Sequence, residues 1–514
     1  MGEALAQAFG QVLDPTVLTV IALSAMYGTL FGSIPGLSAT MAVALIVPLT
    51  YFLSPLEALA AVITLEACAI SAGDIPSALV RIPGTPASAA YADDLYHLAQ
   101  RGQYERALGV CITFSVIGGL FGVAVLILFA RPFAGLATLF TVVEYFWLYV
   151  LGLGCAVVVS RGSALKGAFA LLLGLLLSTV GLSPVHTAAR FTFDRPELYQ
   201  GISFIPALVG LFGLSEVLRN VRTLGGSTTV AHLALQAPVS SVTGGLRQSV
   251  TAVFGGALEL LWRRPRRTLQ ASAIGTLIGI LPGAGADIAA WVSYGMSKRS
   301  SSKPEEYGRG SLEGVADAGA ANNSALAGAW VPALTLGIPG DSITAIVLGI
   351  MMMKNLQPGP EIFEQQAGLI YSLYLVFVLA NLALLPAGFL AVRACGTLIR
   401  VPRHTLLPVI VLFCVLGSYS IAGSYFDVGV MLAMGVLGFV LERHGVPVGP
   451  IVLGIILGGP LEERFVQAMT ASQGSLTVFF ARPLAAILAV IAMAVWLLPA
   501  VSAWRSRRRS PRQG

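Results

Sequence analysis

Four short stretches place proline and glycine inside apolar runs and follow them with small hydroxyl or acidic residues. They are Pro35-Gly36-Leu37-Ser38-Ala39-Thr40, Ile82-Pro83-Gly84-Thr85-Pro86-Ala87-Ser88, Pro282-Gly283-Ala284-Gly285-Ala286-Asp287 and Gly337-Ile338-Pro339-Gly340-Asp341-Ser342-Ile343-Thr344. Proline lacks a backbone N–H and glycine leaves the helical conformation readily, so each stretch interrupts a helix. In hydrocarbon, a freed N–H or C=O is costly unless protein, water or solute satisfies it. A helix that restarts after such a break presents unpaired N–H groups and the positive end of its dipole, which suit a carboxylate. The end that stops, with its bare carbonyls, suits a cation. Ser38, Thr40, Thr85, Ser88, Ser342 and Thr344 are residue types that cap a new helix. The chemistry on offer is the gripping of a small charged solute.

Ionisable and amide groups lie in or beside the same apolar runs: Glu66, Asp74, Arg81, Asp287, Asn322, Asn323, Asp341 and Asn381. Such groups are functional candidates inside a membrane. Asn322 and Asn323, neutral donors and acceptors, are expected beside the solute. Glu66 and Asn381 are expected to pair locally between helices. Residues 91–106 read as a polar connector on the membrane surface, and Asp93-Asp94 has no second acidic motif to make an aspartate-rich metal site. No HExxH, phosphate-cradling loop or GxSxG occurs. Cys68, Cys111, Cys155, Cys395 and Cys414 sit in apolar runs without CxxC spacing and read as small buried residues.

The elements that must hold these groups are membrane helices. Of the 514 residues, 56% are hydrophobic and 11% charged, and the mean hydropathy is +0.81. That excludes a soluble enzyme, a disordered chain and a nucleic-acid binder. The net charge of +6 comes from arginines at the ends of apolar segments, where membrane insertion reads them. Residues 219–267 are polar and end in Arg263, Arg264, Arg266 and Arg267. They read as a linker with a surface helix near 240–262. Linker and basic tail are expected on the cytoplasmic side, and the start of the chain outside, with no cleaved signal peptide. The first half then crosses an odd number of times.

An internal repeat ties the motifs together. Gly28, Gly32, Pro35 and Gly36 recur as Gly275, Gly279, Pro282 and Gly283, all displaced by 247 positions. Pro76, Ile82, Pro83 and Gly84 recur as Pro332, Ile338, Pro339 and Gly340, displaced by 256. With an outer start and a cytoplasmic linker, the copies point in opposite directions, as in many secondary transporters. The expectation is an all-α polytopic membrane protein of two inverted structural repeats with broken helices and re-entrant hairpins, roughly 10–14 membrane segments. Residues 1–218 form the first repeat, 219–267 the linker, 268–503 the second repeat and 504–514 the basic tail.

The stretch Gly32 to Leu49, the run Asp74 to Ala90 and the block Gly275 to Pro360 resemble the large membrane subunit of tripartite tricarboxylate transporters. So do Tyr425 to Met431 and Pro450 to Pro460. The resemblance implies a multi-pass permease of the bacterial inner membrane, not an enzyme, that imports small carboxylates. It implies two partner chains, a small four-span membrane subunit and an extracytoplasmic solute-binding protein. It also implies a sodium or proton gradient as the driving force and no other cofactor. Against the family's usual pattern, Asp74 stands for Gly, Arg81 for Asn, Asp287 for a Thr-like residue, Asp341 for a Ser-like one and Gly319 for Glu. Arg81 is expected either to pair with Asp74 or to take a substrate carboxylate in a bidentate fork. Asp287 or Asp341 is expected to meet the coupling cation or to be protonated. The solute is expected between the Pro35 and Pro83 breaks of one repeat and the Pro282 and Pro339 breaks of the other, on backbone N–H groups and hydroxyls. An intramembrane lipid-modifying enzyme would need a convergent acid–base or metal set, and a channel a continuous polar lining; the sequence offers neither.

Overall fold

A computed structural model describes residues 2–159, 163–183, 188–223, 246–281, 285–398 and 403–509. Pro282 and Gly283, residues 224–245 of the expected linker and the last five residues lie outside the described residues. The described chain is built of helices, with a two-residue strand pair, Gly181–Leu182 with Ala189–Arg190, as its β-structure. Among the described residues, six stretches are long and apolar enough to cross a membrane: Pro15–Ser33, Pro55–Val80, Tyr104–Ala137, Phe204–Arg222, Ala367–Cys395 and Tyr425–Arg443. Shorter apolar helices fill the spaces between them.

The first repeat begins after α1 (Gly2–Val12) with α2 (Pro15–Ser33), α3 (Ala39–Thr50), α4 (Pro55–Ala72), α5 (Asp74–Val80) and α6 (Ala92–Gln100). The long α7 (Tyr104–Ala137), α8 (Val142–Val159), α9 (Ala164–Ser178), α10 (Phe204–Leu208) and α11 (Ser215–Thr223) follow. A π-helical stretch, Val209–Leu214, joins the last two. The surface helix is α12 (Leu246–Arg263), whose Val253 and Ala257 are buried, with the Val253 backbone against Gly109 of α7. The second repeat then runs α13 (Pro265–Ile280), α14 (Gly285–Ser300), α15 (Leu312–Leu336) and α16 (Ser342–Met353). After α17 (Ile362–Gln365) come α18 (Ala367–Leu398), α19 (Arg403–Ala422), α20 (Tyr425–Arg443), α21 (Gly449–Ala471), α22 (Val478–Ala481) and α23 (Pro483–Arg509).

The repeat seen in the letters is repeated in backbone detail. A Cβ on Gly28 or Gly32 would overlap the carbonyl oxygen of Leu65 or Ala69. A Cβ on Gly275 or Gly279 would overlap that of Ala321 or Ala325, at the same displacements. Small residues let two helix backbones touch, the usual glue of membrane helices. Each pair advances by four residues on both helices, so α2 runs parallel to α4, and α13 parallel to α15. The intervening α3 and α14 must therefore return to the side they came from, making two re-entrant hairpins. Arg267, at the start of α13, confirms this by donating to Ser300 Oγ at 2.6 Å and to its carbonyl at 3.1 Å, at the end of α14.

The duplication continues past α4 and α15. Arg81 ends α5 in the left-handed conformation (φ 56°), and Gly337 ends α15 in the same one (φ 67°). Ile82 N–H bonds to Pro76 O at 3.3 Å, and Ile338 N–H to Pro332 O at 3.3 Å, so both helices close with the same six-residue cap. The chain then folds back on the helix it has left. Gly84 lies against Gly73, and Gly340 against Ala329, some 12 Å behind the helix end at the α-helical rise.

The copies run in opposite directions. Helix α18 starts beside the starts of α2 and α4, where Ser372 Oγ donates to Gln11 Oε1 at 3.0 Å. Helix α7 runs antiparallel to α18, with Gly119 against Asn381 and Gly388 against Ile112. It runs parallel to α15, with Gly118 against Ala320 and Gly122 against Ser324, so α15 runs against α4. Lys354, at the end of α16, donates to the carbonyls of Tyr51 and Leu53, both at 2.6 Å, just before α4 begins. Arg101, at the end of α6, donates to Arg309 O at 2.8 Å, just before α15 begins. Thus α16 finishes where α4 starts, and α6 finishes where α15 starts.

Candidate functional site

Each fold-back ends in the same reciprocal cap. Thr85 N–H donates to Ser88 Oγ and Ser88 N–H to Thr85 Oγ1, both at 3.1 Å. In the other repeat Asp341 N–H donates to Thr344 Oγ1 and Thr344 N–H to Asp341 Oδ1, both at 2.8 Å. Such boxes satisfy donors that a helix start leaves bare. Ser38 caps α3, accepting from Met41 N–H at 3.1 Å. The breaks are thus rigid starts of new helices rather than loose loops.

These starts converge on one cavity of about 580 Å³. Ser38, Ala39 and Thr40 enter it from α3, and Gly84, Thr85, Pro86 and Ala89 from the first fold-back. Gly285, Ala286, Asp287, Ile288 and Trp291 enter from α14, and Asp341, Ser342 and Ile343 from the start of α16. All four sequence motifs therefore meet, two from each repeat. The contacts across the repeats are direct. Trp291 Nε1 donates to Pro86 O at 3.2 Å, and a Cβ on Gly285 would lie 3.2 Å from Asp341 Cβ. Gly285 has φ 61°, which side-chain-bearing residues seldom adopt.

A fifth contributor was not legible as site. Pro447, Gly449, Pro450 and Leu453 line the cavity from the start of α21. The signal available was Pro450 at the first turn of an apolar helix. Those residues have no partner in the repeat and no polar side chain, so nothing in them pointed to a ligand. With α21, four α-helix N-termini face the space: α3, α14, α16 and α21. Among the described residues lining it, the charged side chains are Asp287 and Asp341; none is Lys, Arg or His.

Other expected site residues are placed elsewhere. Pro35 and Gly36 form the tip of the first hairpin, where Asn220 Nδ2 donates to Gly36 O at 2.9 Å. Pro83, Ser88, Pro339, Gly340 and Thr344 shape the fold-backs but do not line the cavity. Pro282 and Gly283 lie outside the described residues. Arg81 neither pairs with Asp74 nor enters the cavity. The left-handed turn throws its side chain outward, where it is 57% exposed and bonds Asp93 at 2.7 Å. Asp74 instead accepts from Tyr91 Oη at 2.8 Å.

Asn322 and Asn323 also stay out of the cavity. They are buried in α15, and Ser71 Oγ of α4 donates to Asn323 Oδ1 at 3.4 Å. Glu66 occupies the position in α4 that Asn322 occupies in α15 and is equally buried. Glu66 Oε1, Asn322 Oδ1 and Asn323 Nδ2 lack hydrogen-bond partners within the protein. Asn381, expected to pair between helices, instead donates from Nδ2 to Phe377 O of its own helix at 2.9 Å, and across to α7 it packs on Gly119. The connector at 91–106 is more than a surface element, because Asp94 is fully buried. Its Oδ1 accepts from the N–H groups of Gly308, Gly310 and Ser311, each at 2.8 Å, and its Oδ2 from Tyr294 Oη at 2.6 Å.

Comparison with known proteins gives a consistent picture. Residues 18–453 match the family model described as "Tripartite tricarboxylate transporter TctA family". The chain is 32% identical over 504 residues to an uncharacterized 52.8 kDa protein in the TAR-I ttuC' 3' region of Agrobacterium vitis, covering 98% of this chain and 97% of that one. It is 36% identical over 234 residues to an uncharacterized protein in the TAR-II ttuC' 3' region of the same organism, covering 46% of this chain and 97% of that one. No solved structure matches.

Proposed function

The chain belongs to the tripartite tricarboxylate transporter TctA family, and from that premise we propose that it is the permease subunit of a secondary importer of small carboxylates in the bacterial inner membrane. A separate extracytoplasmic binding protein hands the solute over, a small four-span subunit completes the membrane part, and a sodium or proton gradient drives uptake. The observation that carries this reading is the cavity where four broken stretches from two opposed repeats meet. A carboxylate there would face helix N-termini and the hydroxyls of Ser38, Thr40, Thr85 and Ser342. Asp287 and Asp341 are the side chains in the cavity able to meet a positive charge. The two hairpins would carry the cavity between the faces by moving against the remaining helices.

The test is uptake by proteoliposomes holding the chain with its small subunit and binding protein. Carboxylate should accumulate against its gradient only when the driving ion gradient is present. Thr40→Val and Ser342→Ala each delete one hydroxyl and should cut uptake about tenfold, the value of one hydrogen bond to a charged group. Ion-independent downhill flux would instead identify a channel. Full activity in both variants would remove the solute from this cavity.

A further inference from the structure

The two halves of the cavity wall differ in one chemical respect, and the internal repeat makes the difference exact to the position. Thr40 in the first repeat corresponds to Asp287 in the second, at the displacement of 247, and Thr85 corresponds to Asp341, at 256. All four residues line the space. The first repeat therefore contributes hydroxyls where the second contributes carboxylates. Asp341 cannot swing away, because Oδ1 is held by Thr344 N–H and Oγ1, both at 2.8 Å. It stands at the start of α16, and Asp287 lies in the first turn of α14. Each carboxylate thus offsets the positive end of its own helix. The N-terminus of α3, beside Ser38 and Thr40, has no such acid, nor has that of α21. Capacity for an anion remains on the hydroxyl side and is cancelled on the other. The described lining residues include no Lys, Arg or His.

We infer that the cavity takes a solute with a charge at each end: a carboxylate against Ser38, Thr40 and Thr85, and a protonated amine against Asp287 and Asp341. The class is an amino-acid-like carboxylate, not a tricarboxylate. Three carboxylates would put at least one against the acidic wall. The inference rests on the cavity being the transport site.

The full chain, purified into lipid nanodiscs, is titrated with two matched pairs, glutarate with glutamate and pentanoate with 5-aminopentanoate, and with citrate. Binding is read as dose-dependent thermal stabilisation. The amine-bearing member of each pair should half-saturate at a concentration at least about tenfold lower than its partner, and citrate should be weakest. Asp287→Asn and Asp341→Asn keep the shape, and Asn keeps the helix cap, so both variants should fold; each should erase the amine preference while carboxylate binding persists. Equal half-saturation within the pairs, or tightest binding of citrate, overturns the proposal. So does a pentanoate that matches 5-aminopentanoate once sodium is added, which would assign the positive charge to a bound metal ion. Carboxylate uptake without amine preference sinks this inference alone. Absence of any carboxylate uptake in proteoliposomes sinks the reading beneath it.

Discussion

Asp94 receives three backbone N–H groups on one oxygen and a phenol on the other, all in a buried setting. Hydrogen bonds to a charged acceptor contribute about 1.5–3 kcal/mol each, and stranded donors add to the loss when it is removed. Asp94→Ala should therefore destabilise the protein by about 3 kcal/mol or more, seen as a large drop in thermal unfolding temperature in detergent. Arg81 is the opposite case. Its exposed pair with Asp93 contributes less than about 1 kcal/mol, so Arg81→Gln should leave both unfolding and uptake nearly unchanged. Loss of uptake in that variant would put the guanidinium in the solute path, against the geometry. The contrast shows what residue types alone convey. Both Asp94 and Arg81 are charged groups beside an apolar segment, and in a string of letters they look alike. Arg81 points away because it sits at a left-handed helix end, and Asp94 is buried because loop 301–311, about two hundred positions away, wraps its backbone around it. Ser38, Thr40, Thr85, Ser342 and Asp287 follow the Pro-Gly breaks closely and line the cavity, whereas Ser88 and Thr344, expected there for the same reason, close the caps instead. The place of the Asn pair was not legible, because which face of α15 meets α4 depends on packing.

At the scale of elements, the close approach of α2 to α4 and of α13 to α15 depends on glycine. A methyl group at Gly32 or Gly279 would overlap a carbonyl oxygen that belongs to backbone and cannot swing aside. Gly32→Ala and Gly279→Ala should each cost about 1–3 kcal/mol, the range for overpacking. Gly135 of α7 has nothing within 4 Å of its added Cβ. Gly135→Ala should be neutral, or stabilising by up to about 1 kcal/mol through helix propensity. Melting curves of the three variants decide it; equal effects at all positions would mean that the glycines are not the contact. Apolar length made most spans legible, since a helix of about 20 residues is what the bilayer demands. The crossing stretch Pro55–Val80 is built of α4 and α5, joined at Gly73, whose carbonyl accepts from Gly84 N–H at 3.1 Å. That joint answers to the returning chain, a tertiary partner that hydropathy does not register.

For the whole molecule, opposed repeats imply two faces with a definite sense. The arginines Arg263, Arg264, Arg266 and Arg267 mark the face where α12 ends and α13 starts, and the positive-inside rule assigns it to the cytoplasm. The end of α6 and loop 301–311 share that face through Arg101 and Arg309. The turn before α4 and the end of α16 share the other through Lys354. Exposed positions on each are available for labelling: Gln100 and Lys303 on the arginine face, Phe52 and Gln357 opposite. The native cysteines Cys68, Cys111, Cys395 and Cys414 are buried and Cys155 is half-buried, so background reaction should be low. Single cysteines at Gln100 and Lys303 should react with a membrane-impermeant maleimide only in inside-out vesicles. Those at Phe52 and Gln357 should react only in intact cells. The end of α6 would then share a side with the start of α15, and the end of α16 with the start of α4, which is the arrangement that lets one set of contacts open a cavity inward and its mirror set open it outward. Reaction of Gln100→Cys and Gln357→Cys from the same side would mean that the repeats are parallel, and a cavity built from matched halves would then have no symmetric way to change the face it serves.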